Sequence, residues 1–186
     1  MLSDKRKTVG RSFRIDEEWL NVLNEEAERK GISVNALLNR LLQQYAYLRY
    51  MLRYGAITLT SKGFSAILES CPDDKLRENG RNAGSTIVKD LMLTMGVTPD
   101  HNFVILLVKK ILAEFAGWFE CDHHIKRDKV ILHLRHDLGI KWSIYISGIT
   151  SGTFNSILDK EIEIDFSDSY VTITIPKQNK NGIIHT

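Results

Sequence analysis

"TVGRSFRIDEEWLNVLNEEAERKGISVNALLNRLLQQY" occupies residues 8–45, and its reading decides the first part of the fold. The opening residues alternate. In a strand Val9, Arg11, Phe13 and Ile15 share one face, and Thr8, Gly10, Ser12 and Arg14 the other. A lone strand leaves backbone donors and acceptors unpaired. No second strand pattern lies nearby, so the spacing predicts a partner strand from a second copy of the chain. Asp16 fits an N-cap, with Glu17 and Glu18 in the first turn where the helix dipole favours them. Leu20, Leu23 and Ala27 recur at helical spacing, and Lys30 with Gly31 form a stop. Ser33 starts a second helix whose apolar stripe includes Leu37, Leu38, Leu41 and Leu42. A unit of about 40 residues rarely buries enough surface to fold alone, which again favours a dimer.

The order strand, helix, glycine stop, helix resembles the Arc/MetJ ribbon-helix-helix family of DNA-binding proteins, also called CopG-like. The stretch "SFRIDEEWLNVLNEEAERKGISVNALLNRLL" follows that pattern without a gap, and the resemblance covers residues 8–46. Asp16 stands where the family often has proline. The resemblance implies an obligate dimer whose two-stranded ribbon enters the major groove of double-stranded DNA. It places Gly10, Ser12 and Arg14 at base-facing positions, with Arg14 able to fork onto guanine. It assigns phosphate contacts to the backbone near Ser33, Val34 and Asn35 at a helix N-terminus. Lys5, Arg6 and Lys7 would add phosphate contacts from a basic arm.

Charge agrees with that placement. Residues 1–53 hold ten Lys/Arg and seven Asp/Glu, whereas the rest of the chain holds fifteen and sixteen. The plainer reading is a solvated basic tail. No apolar run reaches the ~18 residues of a membrane span. The N-terminus lacks the apolar core of a secretory signal, and two cysteines, Cys71 and Cys121, suggest free thiols rather than a disulfide framework. These features predict a cytoplasmic protein with no membrane partner.

Beyond residue 48 the pattern predicts a second domain, 49–186, entered by a linker helix over 49–55. Residues 56–60 ("AITLT") read as a short strand, and Ser61 caps a helix to residue 68. Asp73 or Asp74 caps a longer helix to residue 95, weakened by Gly80 and Gly84. Residues 102–116 read as a helix apolar almost all round, hence buried or in an interface. Residues 118–125 and 130–136 form a hairpin pattern, 141–158 a helix despite Gly148 and Gly152, and two further strands end near residue 175. The whole reads as α+β: an N-terminal ribbon-helix-helix followed by an α+β domain with helices on an antiparallel sheet.

"CDHH" at 121–124 and "HLRHD" at 133–137 are the candidate ligand sites of that domain. Strand alternation puts Cys121 and His123 on one face, and His136 shares a face with Leu132 and Leu134. Should the faces coincide, Cys121, His123 and His136 converge on a transition metal such as Zn, Ni or Cu. The plainer reading is a small buried cysteine with hydrogen-bonded histidines. A small-molecule effector in a pocket between the apolar helices and the sheet is the alternative ligand, and plain oligomerisation the third reading. No nucleophile, phosphate loop or carboxylate pair accompanies His136–Asp137, so an enzyme is not expected. The sequence expectation is therefore a homodimeric, sequence-specific transcriptional regulator, a repressor or activator able to assemble further. An antitoxin or protein-interaction module is the alternative.

Overall fold

A computed structural model describes residues 9–53, 59–97, 100–158 and 162–177. The chain divides into two units, Met1–Tyr45 and Ala46–Thr186, against an expected boundary after residue 48.

In the first unit α1 is Glu17–Arg29. Asp16 stands at the N-cap in extended geometry, without a side-chain capping bond. Gly31 takes φ 63°, the left-handed conformation expected of the stop. The next helix, α2, Val34–Arg53, starts in this unit and ends beyond its last residue, Tyr45, and the Ser33 hydroxyl accepts from the Ala36 N–H at 3.2 Å. The expected N-terminal strand is not formed among the described residues. Residues 9–15 have no strand geometry and lie largely exposed, with Phe13 at 62%. Among the described residues every strand belongs to one sheet that begins at Glu120. A strand exists only through its ladder, and residues 9–15 pair with none of these four. The fold expectation is corrected on this point: helices come first and the strands are C-terminal. The first unit buries Ala27 and Leu37, while Trp19, Val22 and Leu42 stay exposed.

The second unit is α+β. Helix α3, Ser61–Glu69, is capped by Thr60, whose hydroxyl accepts from Gly63 N, and not by Ser61. Residues 56–58 of the expected strand lie outside the described residues, and 59–60 have no regular structure. Helix α4 is Asp73–Met95, with Pro72 at the N-cap and Asp73 and Asp74 in the first turn. It ends on Gly96 at φ 64°. Helix α5, His101–Leu106, is capped by Asp100 and continues as a π-helical segment over Leu107–Phe115. There Ala116 N–H reaches Ile111 O at 2.9 Å, five residues back.

The sheet has the order β1-β2-β4-β3, all antiparallel: β1 Glu120–Ile125, β2 Lys129–Arg135, β3 Glu163–Phe166 and β4 Tyr170–Pro176. Alternation makes one face apolar. Val130, Leu132 and Leu134 on β2 meet Ile175, Ile173 and Val171 on β4 in register, and all six are buried. Helix α6, Ile140–Leu158, packs on that face. Trp142 anchors the core, meeting Phe64 and Trp118 edge-on, each with centroids 5.3 Å away.

The four glycines read as helix weakeners are a helix crossing. Gly80 and Gly84 of α4 meet Gly148 and Gly152 of α6. A Cβ on Gly84 would stand 2.1 Å from Ile149 O, and one on Gly152 2.2 Å from Arg81 O. Both pairs are four residues apart, so each presents one smooth stripe and the backbones come into direct contact. Among the described residues no helix is long and apolar enough to cross a membrane.

Candidate functional site

The glycine crossing and the π-helical segment together frame a cavity of about 110 Å³ in the second unit. Helix α6 supplies a stripe, Ile146, Ile149, Thr150 and Thr153, at turn spacing. Helix α4 adds Ala83, the neighbour of the crossing residue Gly84, together with Val88 and Leu91. From α5 and the π-helical segment come Val104, Leu107, Val108 and Leu112. The step of five from Leu107 to Leu112 suits the wider π turn and brings both onto the same wall. Phe119 and Leu134 close the sheet side. No Asp, Glu, Lys, Arg or His lines the space. An apolar cavity of about 150 Å³ stays dry and takes benzene, so this one suits a body of a few heavy atoms.

A wider, open depression of about 690 Å³ lies at the end of β2, lined by polar groups including His133, Arg135, His136 and Asp137. Its charges are largely satisfied within the protein. Arg135 bridges Glu120 at 3.0 Å and Asp122 at 3.2 Å, and His133 Nδ1 lies 2.8 Å from Thr172 Oγ1.

The three expected metal ligands do not come together. Cys121 pairs opposite Leu134 and His123 opposite Leu132, so both face the core side of the sheet as alternation requires. His136, however, lies one residue past the end of β2 and turns into a hydrogen-bond relay. Leu138 N–H donates to its Nδ1 at 3.3 Å. The remaining ring proton therefore sits on Nε2, 2.9 Å from Ser143 Oγ, and the Ser143 hydroxyl donates to Ser167 O. Burial lowers the His136 pKa below its usual value, with Asp137 opposing. His123 Nδ1 has the Lys109 ammonium at 3.0 Å, which disfavours a second cation. Burial pushes the Cys121 thiol up to about 11, Lys109 partly opposing, which disfavours the thiolate a metal needs. Among the described residues no group of three or more His, Cys, Asp or Glu, the expected Cys121/His123/His136 set included, is placed to hold a metal.

Gly10, Ser12 and Arg14 are exposed and carry no strand geometry. Lys5, Arg6 and Lys7 lie outside the described residues. Ser33, Val34 and Asn35 open α2, where the Ser33 hydroxyl is engaged as a cap and Asn35 O accepts from Asn39 Nδ2 at 2.9 Å. The cavity itself was signalled in sequence only by the apolar run at 103–108 and the apolar α6 pattern.

No family model matches the chain, and no curated protein matches it. Among solved structures it is similar to trafficking protein particle complex subunit 3 from Naegleria fowleri, a crystal structure with palmitic acid covalently bound. The identity is 11% and the TM-score 0.42, over 76% of this chain and 96% of that one. A likeness so distant carries no activity or ligand over to this chain. The expectation of a DNA-binding transcriptional regulator or repressor, with double-stranded DNA as partner, is corrected. Base reading depends on a strand that carries Gly10, Ser12 and Arg14, and among the described residues 9–15 take no strand geometry.

Proposed function

We propose that the second unit is a binding module for a small apolar molecule, held in the cavity between α4, α5 with its π-helical continuation, α6 and the sheet. The observation that carries this reading is the cavity itself, about 110 Å³ with an almost wholly apolar wall. An unfilled apolar space of this kind costs packing energy, because its lining atoms lose dispersion partners. A ligand that enters it recovers those contacts. The proposal is one of binding and not catalysis. Ser143, the serine in contact with His136, is fully buried and its proton is committed to a backbone carbonyl. The cytoplasm is taken as the setting, because Cys71 and Cys121 are free thiols suited to a reducing compartment.

Calorimetric titration of the full chain with benzene tests the proposal. Wild type should bind with a Kd on the millimolar scale, and Ala83→Leu, which fills the space from α4, should abolish binding while keeping the fold, read by circular dichroism. Equal binding by Ala83→Leu, or none by wild type, would remove the reading.

A further inference from the structure

One hydroxyl on the cavity wall is left without a partner. Thr150 lies on the lining stripe of α6 and is only 7% exposed. Its neighbours on the same helix are engaged: Thr153 Oγ1 donates to Gly84 O at 3.3 Å, and Ser147 Oγ to Ile144 O at 2.7 Å. Thr150 makes no such bond among the described residues. A largely buried hydroxyl with no partner in the protein depends for its hydrogen bond on whatever occupies the space beside it. Among the described residues no fully sealed side-chain oxygen or nitrogen lacks a partner. The Thr150 hydroxyl therefore keeps accessible surface, and Thr150 is among the residues that line the cavity. Tyr145, also on the wall, differs because it is only half-buried and water can serve its hydroxyl.

The rest of the lining restricts what can meet this group. With no acid, amine, guanidinium or imidazole on the wall, an ionised ligand would be desolvated without a counter-charge, so it is excluded. A purely apolar ligand would leave the hydroxyl unserved. We propose that the cavity selects a neutral molecule with a compact apolar body and one hydrogen-bonding group, a small phenol or alcohol, whose polar atom is met by the Thr150 hydroxyl. This rests on the cavity-binding reading above and adds the chemical class of its ligand.

Phenol and benzene serve as probes, titrated into the full chain and followed by methyl NMR. Thr150→Val keeps the shape of the side chain and removes the hydroxyl, and Thr150→Ser keeps the hydroxyl. Thr150→Val should weaken phenol binding about three- to tenfold, the range of one net hydrogen bond, while leaving benzene unchanged or tighter. Thr150→Ser should retain the wild-type preference for phenol. If benzene binds wild type but Thr150→Val leaves phenol affinity unaltered, or phenol does not bind at all, the selection by Thr150 is wrong and the apolar cavity reading stands. If neither probe binds wild type, both readings fall together.

Discussion

Gly84→Ala would set a Cβ 2.1 Å from Ile149 O and 2.9 Å from Thr153 N, both backbone atoms of α6. Ordinary contact begins near 3.4 Å. A backbone carbonyl has no alternative rotamer, so α4 and α6 must separate by roughly 1 Å along their crossing. Overpacking of this kind costs up to about 3 kcal/mol. The better helix propensity of alanine returns about 1 kcal/mol, leaving a net loss of about 2 kcal/mol. At about 2–4 °C per kcal/mol for a chain of this size, the melting temperature should fall by roughly 4–8 °C. Gly63→Ala is the control, because its Cβ would meet only the Thr60 side-chain oxygen, at 3.1 Å. That variant should melt within about 2 °C of wild type or slightly above it. Differential scanning calorimetry of the three proteins reads the comparison. A Gly84→Ala protein as stable as wild type would refute the direct backbone contact of α4 with α6, and with it the frame of the cavity.

The Cys121 thiol, raised to about 11 chiefly by burial, should alkylate about a hundredfold more slowly in the native protein at pH 8 than in the urea-unfolded chain; equal rates by mass spectrometry would contradict its placement. His136 has a pKa lowered in the folded state, so the unfolded chain takes up its proton first as the pH falls. Its contribution to stability is full above about pH 6.5 and is lost as the pH falls through the folded-state value. Urea midpoints at pH 7.5 and 5 should therefore drop more for wild type than for His136→Gln, and identical drops would exclude the relay through Leu138 and Ser143.

Local chemistry made much of the secondary structure legible. Gly31, Ser33 and Gly96 punctuate the helices as their chemistry requires, Asp16 holds its N-cap position without the side-chain bond, and alternation placed Cys121 and His123 on the apolar face. The errors arose where a residue acts on something distant in sequence. Gly80, Gly84, Gly148 and Gly152 weaken helices when each helix is read alone, whereas their use is the approach of two helices some 70 residues apart in the chain. A π turn differs from an α turn by one residue, and an all-round apolar run over 103–108 hides that change of register. The cavity depends on both features, so the wall was out of reach of periodicity. Thr60 took the cap expected of Ser61 because either hydroxyl fits the pattern. His136 kept the right parity but lay past the strand end, where parity no longer fixes direction. Alternation over residues 9–15 described a strand whose ladder had no partner among the described residues.

Methyl NMR of the full chain under xenon pressure tests the central claim most directly, since xenon enters dry apolar cavities without needing a polar contact. The account predicts saturable shifts confined to methyls of the cavity wall, including Leu107, Leu112, Ile146 and Ile149, and their loss in Ala83→Leu. Shifts scattered over the surface, or saturable shifts that persist in Ala83→Leu, would contradict it.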